Sequence, residues 1–175
     1  PVLAAVGTGT FMSALDSSIV NTVLPVLTRA LNTNVASIEW VVTIYLLMVS
    51  GLLLGMGRLG DLRGHKRTYT AGFGVFIVAS GLCAMATTVQ MLIAFRALQA
   101  LGAAALFAMS PAILTAHFPP SRRGQALGLQ AMMTYLGLTV GPPLGGWLAT
   151  HWSWHAIFTM NIPVGLLALF LSARF

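Results

Sequence analysis

Residues 91–116 read MLIAFRALQALGAAALFAMSPAILTA, an apolar run interrupted by a single charge, Arg96. A helix needs about 20 apolar residues to cross the roughly 30 Å hydrocarbon core of a bilayer. Lipid offers no partner to a free backbone N–H or C=O, so such a segment must close its hydrogen bonds within a helix or a barrel. The run shows no period-two alternation, which selects the helix. Arg96 lies near its start, and on helical spacing Gln99, Ala103 and Ser110 share its face. An arginine keeps its charge at any physiological pH, and placing it at membrane depth costs about 2.5–3.5 kcal/mol on insertion scales. Two placements relieve that cost. The side chain snorkels to the nearer interface, or it turns into a bundle interior or a water-filled cavity. In the second case it cannot carry a proton itself, but it can hold a nearby carboxylate ionised or bias when that group protonates.

Five similar segments accompany it. The six spans are 2–31, 38–59, 68–87, 91–116, 125–149 and 156–174, and their joints carry turn or breaker residues such as Asn32-Thr33-Asn34 and Pro119-Pro120-Ser121. The expected fold is an all-α membrane protein of six transmembrane helices over 1–175, with no room for a separate soluble domain. Composition agrees. The 175 residues hold 9 Lys/Arg and 3 Asp/Glu, so 7% are charged, where a soluble domain carries about 25%. That excludes a soluble enzyme, a disordered chain and a disulfide-stapled secreted domain; Cys83, the one cysteine, has no internal partner. The net charge of +6 does not imply nucleic acid, because the basic residues sit in short clusters between apolar runs. Pro1 opens the chain inside an apolar run, and a fragment of a longer protein is expected.

Orientation follows from basic residues in short loops. Arg58, Arg63, Lys66, Arg67, Arg122, Arg123 and Arg174 fall on one side if the spans alternate, against Arg29 on the other. The even-numbered loops are therefore expected in the cytoplasm, with the first span running outward through the cell membrane. Trp152 and Trp154 then lie in an outer loop, at a depth where Trp anchors the interface.

Asp16 is the second charge inside a span, and it too must face a protein interior or cavity. Thr10, Ser13, Ser17 and Asn21 form a polar stripe at helical spacing beside it. In the fifth span Gly137, Gly141 and Gly145 recur every four residues, a bare stripe that lets another helix approach closely, and Pro142 removes a helical donor. The loop Gly57-Arg58-Leu59-Gly60-Asp61-Leu62-Arg63-Gly64-His65-Lys66-Arg67 puts an acid at a helix C-terminus, where the dipole disfavours it unless a cation or another helix N-terminus is near.

In this order the segments resemble the N-terminal six-helix half of a major facilitator superfamily transporter. Gly57 to Lys66 resembles the superfamily signature Gly-x-Leu-x-Asp-Arg-x-Gly-Arg-Arg, with Leu62 and His65 replacing two arginines. Arg96-Ala97-Leu98-Gln99 is similar to the span-four motif Arg-x-x-Gln-Gly, with Ala100 for the glycine. Gly128, Gly137, Gly141-Pro142 and Gly145-Gly146 match the antiporter motif in full. Leu15 to Pro25, Trp40 to Leu47 and Trp154 to Gly165 resemble spans one, two and six of EmrB/QacA-type drug:proton antiporters.

The resemblance implies a half-bundle of two inverted three-helix repeats, whose absent C-terminal half would complete the substrate cavity. It implies proton-coupled efflux of small lipophilic or cationic compounds by alternating access. Asp16, Asn21, Arg96 and Gln99 would serve proton coupling or the substrate cavity. Gly57, Asp61, Arg63, Gly64 and Lys66 would form a cytoplasmic latch. The glycine–proline stripe of span five would pack against the other half. The implied partners are protons, a small-molecule substrate and the bilayer. No cofactor, metal or enzymatic activity is expected, since all four histidines lie in or near loops. A metabolite transporter is the alternative, which the full antiporter motif disfavours; a six-span oligomeric channel-like protein is another, and it lacks a filter-like segment.

Overall fold

Each helix boundary has a local cause. The structure, a computed structural model, describes residues 2–173. Eight helices lie in this range: α1 (Val2–Thr22), α2 (Leu24–Ala30), α3 (Val35–Arg63), α4 (His65–Ala84), α5 (Val89–His117), α6 (Pro120–His151), α7 (His155–Thr159) and α8 (Asn161–Ala173). Asn34 caps α3 by accepting from the Ser37 N–H at 2.8 Å, and Thr88 caps α5 by accepting from Met91 at 3.2 Å. Pro120 starts α6, where its missing N–H is not needed. Gly64 joins α3 to α4 at φ +94°, a conformation that side chains other than glycine rarely adopt.

Two expected spans are interrupted. The first, 2–31, breaks at Val23 between α1 and α2; the sixth, 156–174, breaks at Met160 between α7 and α8. In both a proline follows closely, Pro25 and Pro163. Its ring crowds the carbonyl four residues back, and it offers that carbonyl no N–H. Pro111, Pro142 and Pro143 instead lie inside continuous helices. Arg174, counted in the orientation argument, is outside the described residues.

Among the described residues, four helical segments are long and apolar enough to cross a membrane: Val2–Thr22, Val35–Arg63, Val89–His117 and His155–Ser172. The expected third and fifth spans, α4 and α6, are not among them. Helix α4 opens on His65-Lys66-Arg67, and α6 opens on Ser121-Arg122-Arg123 and carries Gln125, Gln130 and several glycines. These dilute the apolar character that composition alone suggested.

Helix α1 packs most extensively on α6, and α5 on both α3 and α4. The core has two apolar clusters. One gathers Leu15, Ile19, Val41, Cys83, Leu92 and Phe158; the other gathers Met12, Tyr45, Phe76, Ala100, Ala103 and Leu106. On α4 and α5 the residues between the two clusters are Ser80, Arg96 and Gln99, and Asp16 of α1 meets them from within the first cluster, so a polar layer interrupts the core. Outside, large apolar side chains stand free, Leu54 at 87% exposure among them. A monomer in water rarely carries that much exposed apolar surface.

Candidate functional site

The polar layer is built from five helices. Asp16, on the inward face of α1, is buried, as are Arg96 and Gln99 on α5. Arg96 therefore does not snorkel. Its Nη1 donates to Asp16 Oδ2 at 2.5 Å and to Gln99 Oε1 at 2.5 Å, and its Nε donates to the Val41 carbonyl of α3 at 3.3 Å. The guanidinium carbon lies 4.0 Å from the centre of the Tyr45 ring, a cation–π contact. Gln99 Nε2 donates to Asp16 Oδ1 at 3.2 Å and to Ser80 Oγ of α4 at 2.8 Å. Asn161, the first residue of α8, donates from Nδ2 to Asp16 Oδ1 at 2.6 Å. Cys83 Sγ lies 3.9 Å from Gln99 Oε1.

The chemistry of this knot is directional. An ionised carboxylate only accepts, and here three N–H donors converge on Asp16. A proton added to Asp16 removes the negative charge these donors face and leaves them a weaker acceptor, so protonation weakens the hold of α1 on α5 and α8. Among the described residues, two buried side-chain atoms, Arg96 Nη2 and Tyr45 Oη, have no protein hydrogen-bond partner.

The other sequence-selected residues separate into those that join this knot and those that do not. Asn21 is exposed and outside it. Thr10 and Ser13 are buried, but their hydroxyls donate to carbonyls of their own helix, Val6, Gly7 and Gly9. The inward polar line of α1 therefore runs through Ser13 and Asp16 rather than down the Ser17–Asn21 stripe. Ser80, Asn161, Tyr45 and Cys83 also belong to the cluster, beyond the residues that the sequence points to. Asn161 and Tyr45 were legible as polar residues in apolar runs, whereas Ser80 carried no signal beyond its hydroxyl.

The glycine stripe of span five has a partner within this bundle, which corrects its expected packing against the absent half. A Cβ on Gly137 would come 2.6 Å from the Phe11 carbonyl oxygen, one on Gly141 2.5 Å from Ser18 Cβ, and one on Gly145 3.1 Å from Ile19 Cγ2. All three meet α1, and Ser18 Oγ donates across the contact to the Leu138 carbonyl at 2.8 Å. Pro142 is exposed, and Gly128 and Gly146 face open space.

In the α3–α4 turn, Asp61 Oδ1 lies 3.3 Å from His65 Nε2, so the acid at the end of α3 meets the first side chain of α4. Gly57 and Asp61 line a shallow cleft against Phe107 and Pro111, while Arg63 turns to the other side of α3. Lys66 is exposed.

Comparison with known proteins agrees with this architecture. Over 174 residues the chain is 40% identical to the riboflavin transporter RibZ of Clostridioides difficile (strain 630), covering 99% of this chain and 38% of that protein. It is 37% identical over 171 residues to the multidrug resistance protein Stp of Mycobacterium tuberculosis, covering 97% of this chain and 32% of Stp. The chain thus spans about a third of the length of these relatives. The solved structure of the MFS proton:xylose symporter XylE bound to 6-bromo-6-deoxy-D-glucose superposes with a TM-score of 0.82 at 13% identity, over 99% of this chain and 44% of XylE; at that identity the likeness is one of fold. The Major Facilitator Superfamily profile matches residues 6–175, and the chain belongs to that family of membrane transporters.

Proposed function

We propose that the chain is the N-terminal six-span half of a proton-coupled exporter of small lipophilic or cationic compounds. It lies in the cytoplasmic membrane with its first span running outward, and works by alternating access against a second half. The observation that carries the reading is the buried Asp16 carboxylate, held by Arg96, Gln99 and Asn161 from two other helices. Ionisable groups at membrane depth are functional by default, and a proton on this one weakens the charge-assisted bonds that tie α1 to α5 and α8. Proton uptake at Asp16 then shifts α1 against α5 and α8, while Arg96 Nη2 and Tyr45 Oη remain for a substrate acceptor. Asp61 and the signature loop act as the cytoplasmic latch.

The test uses the full-length protein in proteoliposomes with an imposed pH gradient and ethidium as the lipophilic cation. Asp16→Asn should lose gradient-driven transport yet keep energy-independent exchange of substrate across the membrane. Gradient-driven transport at the wild-type rate per folded protein would refute the role. The likeness to RibZ supports a second reading, a metabolite transporter; accumulation of riboflavin with no ethidium transport would favour it.

A further inference from the structure

The α3–α4 turn has a second face, away from the Asp61 cleft, and Arg63 of the expected latch stands on it. A cavity of about 510 Å³ opens there between the end of α3, the start of α4 and the middle of α5, within the size range of ligand clefts. Arg63 and Arg67 stand at one end, and Ala71, Val75, Leu101 and Ala105 line the slot below them. Both arginines are exposed, and among the described residues neither guanidinium has an ion-pair or hydrogen-bond partner. No acid of this chain is placed to serve them. The chain has 3 acidic residues: Asp16 is held by Arg96, Asp61 pairs with His65 beside a different cleft, and Glu39 lies at the far end of α3.

From this charge and shape we infer that the groove binds an anionic phospholipid, its phosphate on Arg63 and Arg67 and one acyl chain in the slot. Guanidinium groups match phosphate oxygens with paired N–H donors. The apolar path continues past the cavity to Val78 of α4 and Leu98 of α5, 62% and 39% exposed. From Arg67 to Val78 the helix rises about 16 Å, close to half of the roughly 30 Å hydrocarbon core and so to the depth of one leaflet. The proposed topology serves only to assign that leaflet to the cytoplasmic side, where anionic lipid attracts basic residues. Arg63 thereby leaves the latch, since it points away from the Asp61 cleft.

Native mass spectrometry of the purified full-length protein, with phosphatidylglycerol and phosphatidylcholine in equal amounts, tests the site. It uses neither gradient nor substrate, so its failure leaves the transport reading standing, and the converse also holds. Phosphatidylglycerol should be retained in preference. Arg63→Gln with Arg67→Gln should weaken its binding about 30-fold, at about 1 kcal/mol per basic residue. Arg63→Lys with Arg67→Lys, which keeps both charges, should lose less. Ala71→Trp fills the slot from an exposed position and should weaken binding with both arginines intact. Arg122→Gln with Arg123→Gln removes the same charge elsewhere and should change nothing. Equal retention of phosphatidylcholine would overturn the proposal. So would an equal loss in the Arg122/Arg123 variant, full binding in Ala71→Trp, or displacement of the lipid by millimolar inorganic phosphate, which would reduce the site to a bare anion contact. Circular dichroism of each variant separates lost binding from lost fold.

Discussion

Removing both charges of the Asp16–Arg96 pair should cost much less than the sum of removing each alone. Asp16→Asn keeps the shape of the side chain but replaces one accepting oxygen with an N–H₂ group. If the amide oxygen faces Gln99 and Asn161, its nitrogen opposes Arg96 Nη1; if it is flipped, the nitrogen opposes the other two donors. Either way Arg96, with 0% of its surface exposed, keeps its charge without a counter-charge. Breaking a buried pair from one side costs about 3–5 kcal/mol, a hundredfold or more in the folding equilibrium. Arg96→Met should cost a similar amount, because it leaves the carboxylate alone with two neutral amides. In the double variant no buried charge remains, and the introduced amide oxygen still accepts from Gln99 and Asn161. The double variant should therefore lose much less than the sum of the singles, with a coupling of about 3 kcal/mol, the upper end for residues in contact. Equilibrium unfolding of the full-length protein in mixed micelles of mild detergent and SDS, followed by far-UV circular dichroism, measures all four corners of the cycle. Coupling below about 0.5 kcal/mol, the scatter expected of independent sites, would refute a mutually compensating buried pair.

Two further outcomes can be read in the same unfolding assay. Gly141→Ala places a methyl group 2.5 Å from Ser18 on α1 and should destabilise by about 1–3 kcal/mol, whereas Gly128→Ala meets open space and should gain up to about 1 kcal/mol from helix propensity; the same sign at both positions would contradict the α1–α6 contact. Asn161→Ala removes a donor to a charged acceptor and should cost about 1.5–3 kcal/mol, against about 1 kcal/mol for Ser80→Ala, whose bonds are to neutral groups. The reverse order would place Asn161 outside the carboxylate's shell.

Much of this architecture is legible without coordinates because lipid is a demanding solvent. Twelve charged residues in 175 leave few places for charge, and a charge inside an apolar run must point inward. That reasoning picks out Asp16 and Arg96, and helical spacing adds Gln99. It does less well with helix continuity. The runs 2–31 and 156–174 read as unbroken because every residue is compatible with a span, yet Pro25 and Pro163 each end a helix that Pro111, Pro142 and Pro143 do not. A proline's local chemistry is the same in all five cases; whether neighbouring helices hold the chain straight is a tertiary matter.

The amino-acid sequence by itself determined that the chain is helical and membrane-embedded, and which ionisable side chains must turn inward, since these follow from local hydrogen bonding and from the cost of charge in lipid. The tertiary structure decided who meets whom. It joined Asp16 to Arg96 across α1 and α5, brought Ser80 and Asn161 to the same carboxylate, and set Gly137, Gly141 and Gly145 against α1 rather than an outside surface. It also parted Arg63 from Asp61, two residues away on opposite sides of α3. The physical reason is that periodicity specifies the face a residue occupies on its own helix. Which helix covers that face depends on packing between segments far apart in the chain.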